Sequence, residues 1–313
     1  MNPKVSVIIP VYNKADWIEE TLISVMEQSY QDWEAIIIDD GSSDKSLEVT
    51  QKFIKSHPGN WILISQANQG QCRTRNTGIK KAQGEFIAFL DGDDCWAPNK
   101  LEVQVALLDA NPTASAILCP YEIYEKDSRR WQRRLVSHHS SKRMLKNWLN
   151  LRGFGGGTES TGLVRKALLI QARGFDINLS TSAGLDLTMR LGALGPILFA
   201  NNTYMKYRIH TGQWHADLNF LSSDLMSLRN KIPQSQSKDI AKIKMAHEAY
   251  LRFQELRQRV SVDRQGKVNA GLSIYSYLLV LIYFILIRTV VARARAILPT
   301  LLTKIPRKYL VNS

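Results

Sequence analysis

The sequence predicts an α/β fold in which a mostly parallel central sheet is flanked by helices and followed by a C-terminal helical region of different character. Three observations lead there. Short β-branched runs alternate with segments of helical periodicity over the first hundred residues. The polar residues Tyr12, Asn13, Asp39, Asp40, Asp91, Asp93 and Asp94 fall where those runs end. The composition then shifts abruptly near residue 266, where twenty uncharged residues lie between basic clusters.

"VSVIIPVYN" and "WEAIIIDDGSSD" are β-branched runs that end in polar loops, so each reads as a strand. Between them "ADWIEETLISVMEQS" places Trp17, Ile18, Thr21, Leu22, Val25 and Met26 at helical spacing. "SLEVTQKFIKSH" reads as a second helix, "WILISQ" as a third strand, "GQCRTRNTGIKKA" as a third helix and "EFIAFL" as a fourth strand. Strands alternating with helices imply right-handed crossovers and a parallel sheet covered on both faces. From 101 to 215 the pattern loosens: a helix "NKLEVQVALLDANP", a strand "ASAILCPYEIYE", a basic segment 126–147, the glycine run "GFGGGTES" and a helix near "GLDLTMRLGALG".

In such a sheet ligands bind beyond the carboxyl ends of the strands. Three separate strands deliver acidic or polar residues to that rim. The densest is "FIAFLDGDDC", where Asp91 and Asp93 flank Gly92. Carboxylates one residue apart in a glycine turn can share one divalent cation that also binds a diphosphate. Taken alone the same residues suit an ordinary acidic turn, with Asp94 as the cap of a helix starting near Pro98.

The chain has 313 residues, 44% of them hydrophobic, enough to bury a full core. Its formal net charge of +13 calls for a polyanionic neighbour: nucleic acid, an anionic membrane face or a phosphorylated substrate. Three cysteines, Cys72, Cys95 and Cys119, suggest neither a disulfide framework nor a zinc site. The N-terminal apolar stretch is interrupted by Pro10 and reads as a buried strand rather than a signal peptide, so a cytosolic location is expected for this part of the chain.

"AKIKMAHEAYLRFQELRQRV" reads as a charged helix leading into residues 268–287, twenty residues without a formal charge. At ~1.5 Å per residue that stretch nearly crosses a hydrocarbon core of ~30 Å. Arg257, Arg259, Arg264 and Lys267 precede it, and Arg288, Arg293, Arg295, Lys304, Arg307 and Lys308 follow. A single pass would export the second cluster, so a helix or hairpin in the cytoplasmic leaflet is expected, with both clusters on anionic lipid. The expected division is a first domain over 1–215, a charged helical region over 216–265 and a membrane-associated tail over 266–313.

"VSVIIPVYNK", "IIIDDGSSDKS", "NQGQCRTRNTGIKKAQGEFIAFLDGDDCWAPNKL", "ARGFDINL" and "YRIHTG" occur in an order and spacing that closely resemble the family 2, GT-A-type inverting glycosyltransferases, over roughly residues 4–215. The resemblance implies a GT-A nucleotide-sugar-binding fold and a metal-dependent transfer, with Mg2+ or Mn2+, from a nucleoside-diphosphate sugar. It implies that Pro10, Val11 and Tyr12 frame the nucleobase, that Asp40 or Asp39 meets the base or its surroundings, and that Arg75, followed by Asn76, neutralises phosphate. It also implies that Asp93 is the first metal ligand, that Asp91 contacts ribose or metal, and that His210 closes on the metal or diphosphate. The family usually takes its base from a Glu-Asp pair at a helix start; here "TSAGLDLTMRL" has Leu185 in place of the glutamate and leaves Asp186 as the expected base. Gly155, Gly156, Gly157 and Thr158 lie where similar enzymes shape the acceptor side.

The function expected is transfer of a sugar to a lipid-linked or cell-surface glycan acceptor, in polysaccharide biosynthesis at the cytoplasmic face of a membrane. The competing readings are a nucleotide-sugar-binding scaffold without turnover, prompted by Leu185, and a basic nucleic-acid-binding protein. No interleaved aromatic and basic recognition element supports the latter, so nucleic acid is not expected as a partner. No Gln-x-x-Arg-Trp segment is present, which argues against a processive synthase.

Overall fold

Ten strands alternate with six helices in the computed structural model, which describes residues 2–125, 159–180 and 183–210. The strands are β1 (Val5–Val11), β2 (Trp33–Asp39), β3 (Trp61–Ser65), β4 (Phe86–Phe89), β5 (Cys95–Trp96), β6 (Ala116–Leu118), β7 (Tyr121–Glu125), β8 (Gly162–Arg165), β9 (Ile197–Phe199) and β10 (Met205–Ile209). The helices are α1 (Ile18–Met26), α2 (Ser46–Ser56), α3 (Gln71–Lys81), α4 (Lys100–Asp109), α5 (Lys166–Gln171) and α6 (Ala183–Leu194).

Every residue of β1, β2 and β4 is buried, the consequence of β-branched and aromatic runs that are covered on both faces. Side chains alternate across β1: Val5, Val7, Ile9 and Val11 join Ile18, Leu22 and Val25 of α1 and Leu101 and Val105 of α4 in one layer. Ile8 points the other way, into a second layer with Ile79 of α3, Leu169 of α5 and Leu187 and Leu191 of α6. Each such aliphatic side chain contributes about 1.5–3 kcal/mol by leaving water. Helix α3 lies so close to β1 that a methyl group at Gly78 would land on Ile8.

The main sheet has the order β3-β2-β1-β4-β8-β6-β9. β3, β2, β1 and β4 run parallel, as the alternation predicts. β8 runs antiparallel to both β4 and β6, so the sheet is mixed beyond β4. β2 and β3 lie to one side of β1 and β4 to the other. The chain therefore reverses direction across the sheet between β1 and β4, and their carboxyl ends open the crevice where ligands bind in such sheets.

One expected element is corrected. "ASAILCPYEIYE" is not a single strand: Pro120 has no N–H to give to a ladder, and the run divides there into β6 in the main sheet and β7 in a second sheet of order β5-β10-β7. That small sheet pairs β10 antiparallel to β5, with Met205 opposite Trp96 and Lys206 opposite Cys95. The pairing folds the end of β10 back over the acidic loop that precedes β5.

No helix among the described residues is long and apolar enough to cross a membrane. The expected regions 216–265 and 266–313, the stretch 268–287 and residues 155–158 lie outside the described residues.

Candidate active site

Three strand ends meet at the crevice. β1 ends at Val11, whose carbonyl accepts the Asp40 N–H at 2.8 Å and so ties the first strand end to the second. Pro10 and Val11 are buried, while Tyr12 is 48% exposed and open to a ligand. Asn13 follows with φ of 52°, a left-handed conformation that asparagine tolerates, and its Oδ1 accepts the Ser43 N–H at 2.8 Å.

Asp39 and Asp40 do different work. Asp40 accepts the N–H groups of Gln69 and Gly70 at 3.0 and 2.9 Å and the Gln66 amide at 2.7 Å, which shapes the loop leading into α3. Asp39 accepts the Ser42 N–H through Oδ2 at 3.3 Å, and its buried Oδ1 has no partner among the described residues. A buried carboxylate oxygen without a donor suits an incoming N–H.

The acidic loop after β4 directs its carboxylates to separate cations. Asp91 accepts Arg75 Nη2 at 2.6 Å, and Asp93 accepts Lys14 Nζ at 2.5 Å and lies 3.0 Å from His210 Nε2. Burial works against the ionised Asp93, but the His210 hydrogen bond and the Lys14 ammonium outweigh it and hold the carboxyl below its ordinary range. Asp94 is not a helix cap: the residue at the N-cap position of α4 is Asn99, which makes no side-chain capping hydrogen bond. It is buried, accepts Ser160 Oγ at 2.6 Å and the Arg208 N–H at 3.2 Å, and is pushed well up by burial and by the charges of Asp93 and Asp91. Tyr207 is pushed up by burial and by the same three carboxylates.

Arg75 is not a solvated helix residue: its side chain is 2% exposed. Burial disfavours its charge, but Asp91 and Glu159 more than compensate and raise it. Its Nη1 lies 3.9 Å from Glu159, and its guanidinium covers the Phe175 ring at 5.1 Å. Asn76 next to it accepts the Phe175 N–H and donates to the Phe175 carbonyl, so it ties α3 to the turn after α5. His210 stacks on Trp17 with centroids 5.3 Å apart, and Arg208 covers the same indole at 4.6 Å. Thus Pro10, Val11, Tyr12, Asp39, Asp40, Arg75, Asp91, Asp93 and His210 gather around one crevice.

Asp186 lies four residues before Arg190 on α6, and its Oδ2 accepts Arg190 Nε and Nη2 at 2.9 and 2.6 Å. Three residues of the site were not singled out in the sequence: Lys14, Ser160 and Glu159. Lys14 carried no local signal. Glu159 and Ser160 sit in a glycine-rich stretch that reads as loop.

Asp93 Oδ2 and His210 Nε2 converge, with Asp91 two residues away. Among the described residues no three Asp, Glu, His or Cys side chains form a ready cage. One carboxylate and one imidazole suit a cation that completes its shell with diphosphate oxygens and water.

The glycosyl transferase family 2 model matches residues 6–169, more than half the chain. The chain belongs to glycosyl transferase family 2. It is 40% identical over 128 residues, 40% of this chain and 48% of the other, to the Escherichia coli UDP-Glc:alpha-D-GlcNAc-diphosphoundecaprenol beta-1,3-glucosyltransferase WfgD. Against a Haemophilus influenzae glycosyltransferase the identity is 42%, over 35% of this chain and 44% of that protein. The chain thus spans less than half the length of these curated relatives. Its fold is similar to Staphylococcus aureus TarS 1–349 in complex with UDP-GlcNAc (TM-score 0.58, 20% identity, 94% of this chain and 83% of that one). It is also similar to the Pyrobaculum calidifontis mannosyltransferase PcManGT in complex with GDP-Man and Mn2+ (TM-score 0.59, 19% identity, 95% and 87%). The fold is thus GT-A-like.

Proposed function

We propose that this glycosyltransferase moves a sugar, with inversion at the anomeric carbon, from a nucleoside-diphosphate sugar to a lipid-linked or cell-surface glycan acceptor at the cytoplasmic face of a membrane. The observation that carries the reading is the meeting of Asp39, Arg75, Asp91 and Asp93 at the β1/β4 crevice, where the end of β2 supplies an N–H acceptor, α3 a buried cation and the loop after β4 two metal-type carboxylates. Uridine nucleotides are the first donors to test, because WfgD is named for UDP-Glc and TarS was solved with UDP-GlcNAc. A diphosphoundecaprenol acceptor like that in the name of WfgD suits a basic tail on anionic lipid.

In this reading Tyr12 and the backbone of Pro10 and Val11 frame the nucleobase, and Asp39 Oδ1 accepts a base N–H. Asp40 keeps the loop into α3 in shape. Arg75 holds Asp91 toward the ribose and the cation. Asp93 and His210 would hold Mg2+ or Mn2+, and a bound cation would neutralise charge developing on the departing diphosphate. Lys14 balances the charge of Asp93. A carboxylate at the start of α6, where Asp186 and Glu159 both lie, takes the acceptor proton.

The hold of Arg190 on Asp186 favours a second reading, a nucleotide-sugar-binding scaffold without turnover. Purified protein offered UDP- and GDP-sugars with Mn2+, Mg2+ or EDTA, with and without a short-chain polyprenyl-diphosphate GlcNAc acceptor, separates the two. Cation-dependent nucleoside diphosphate release that rises with acceptor supports the transferase. Donor binding without release from any donor would leave the scaffold.

A further inference from the structure

We propose that Glu159, not Asp186, is the carboxylate that accepts the acceptor hydroxyl proton; the inference rests on the transferase reading above.

Asp186 is committed elsewhere. Its Oδ2 takes two guanidinium N–H groups of Arg190, its side chain is 6% exposed, and Arg190 also donates to the Ala172 carbonyl in the turn after α5. The pair thus anchors α6 to α5, an i,i+4 tie on the inner side of the helix. Two charge-assisted hydrogen bonds on Oδ2 fix that carboxylate in a tie between helices, and an incoming hydroxyl would have to break the tie or reach the other oxygen.

Glu159 is placed for the task. Its side chain and that of Asp91 are 24% and 25% exposed, and they flank the two ends of the one buried guanidinium of Arg75, at 3.9 and 2.6 Å. Glu159 therefore looks into the same opening as the acidic loop, from the side of α6. Its carboxylate accepts the Gly184 N–H and occupies the space that a side chain at position 184 would fill, so that a methyl group there would land on it. Gly184 is the second residue of α6, where unpaired N–H groups and the helix dipole favour an anion. The missing side chain at Gly184 is what admits the carboxylate.

The backbone around Glu159 is fixed to the rim. The Glu159 carbonyl accepts the Gly162 N–H at 3.0 Å. Ser160 Oγ accepts the Asp91 N–H at 3.0 Å and donates to Asp94, and the Ser160 carbonyl accepts the Trp96 indole N–H at 2.7 Å. The carboxylate is thus registered to Asp91 through its neighbour in sequence as well as through Arg75.

In the reaction a Glu159 oxygen takes the proton of the acceptor hydroxyl as the acceptor oxygen bonds to the anomeric carbon. The bond from that carbon to the diphosphate oxygen breaks, and its electron pair leaves with the nucleoside diphosphate. Arg75 acts as a positioning residue, keeping Glu159 and Asp91 apart and oriented.

The test compares wild type, Glu159→Gln, Asp186→Asn, Glu159→Ala and the double variant Glu159→Ala/Gly184→Asp in the full-length protein. Three quantities are read: kcat for transfer from the UDP-sugar to polyprenyl-diphosphate GlcNAc, affinity for UDP with Mn2+, and Tm. Glu159→Gln is expected to lose about 10²-fold or more in kcat, the scale of a lost general base, with UDP affinity within about threefold. Glu159→Ala vacates the space over Gly184, and an aspartate placed there is expected to return at least about tenfold of the lost kcat, a rescue that a structural role for Glu159 would not give. Asp186→Asn is expected to lower Tm and to keep at least about tenfold more kcat than Glu159→Gln. Wild-type kcat in Glu159→Gln, or an Asp186→Asn that loses transfer at unchanged Tm, would overturn the assignment while leaving the transferase reading intact. Failure of the wild type to transfer would overturn both.

Discussion

Lys100 is the first residue of α4, fully buried, with its ammonium 3.9 Å from the centroid of Trp96 and 2.8 Å from Gln104 Oε1. No carboxylate pairs with it among the hydrogen bonds and ion pairs of the described residues, and burial pulls it down from 10.5 to about 8. The sign follows from proton counting. Between those two values the unfolded chain holds a proton that the folded chain has shed, so stability rises with pH across the window. Below pH 8 both states are protonated and the burial cost is present in full, about 3 kcal/mol for a shift of this size. Integrating the two titrations gives a gain of about 2.5 kcal/mol between pH 7 and pH 10. Lys100→Met keeps the length of the side chain and sets a thioether over Trp96, but leaves Gln104 Oε1 without its donor, an offset of about 1–3 kcal/mol that does not vary with pH. Cys119 nearby is pushed up by its own burial, and it is present in both proteins. The assay is urea unfolding of wild type and variant at pH 7, 8, 9 and 10. The stability of the wild type relative to Lys100→Met should climb by about 2.5 kcal/mol over that range. Parallel pH curves would refute the reasoning, since they would mean that Lys100 titrates alike in both states.

Asp93→Ala should weaken Mn2+ binding and cut transfer by about 10²-fold or more, with some loss of Tm because Lys14 and His210 lose their shared partner; tight Mn2+ binding by the variant, measured by electron paramagnetic resonance, would remove Asp93 from the metal site. Asp40→Ala deletes the acceptor for two backbone N–H groups and the Gln66 amide, and should cost about 2–3 kcal/mol in urea unfolding along with weaker UDP binding. An unchanged stability would mean that the loop into α3 holds its shape without it. Truncation after about residue 265 should give a protein that binds UDP and leaves membranes, whereas the full-length chain should resist a high-salt wash, because apolar burial is not screened. Release of the full-length chain by salt would reduce the tail to an electrostatic contact.

The parallel half of the sheet was legible because its strands announce themselves. "VSVIIPV", "WEAIIID" and "FIAF" are apolar runs with helices between them, and the acidic residues Asp39, Asp40 and Asp91 at the ends of the last two point to the rim where they are found. The antiparallel entry of β8 and the small sheet were not legible. β5 has two residues, and its partner β10 comes more than a hundred positions later, so only tertiary pairing defines either. Pro120 was a visible break that a single-strand reading passed over. At the site, the acidic loop was readable as a cluster but not as a division of labour. That Asp91 takes Arg75, Asp93 takes Lys14 and His210, and Asp94 takes Ser160 depends on side chains delivered from α3, the β1 end, the β8 approach and β10. The Asp186–Arg190 tie was within reach, since residues four apart on a helix are neighbours. Glu159 was hidden by its glycine-rich surroundings, and the one available signal was a glycine at the second position of α6.

The central claim is that the β1/β4 crevice performs cation-dependent transfer with inversion. It is tested most directly by one NMR measurement on the product formed from an α-linked UDP-sugar, the polyprenyl-diphosphate GlcNAc acceptor and Mn2+. The account predicts a β-glycoside that does not form when EDTA replaces Mn2+. An α-glycoside, or equal product in EDTA, would contradict it.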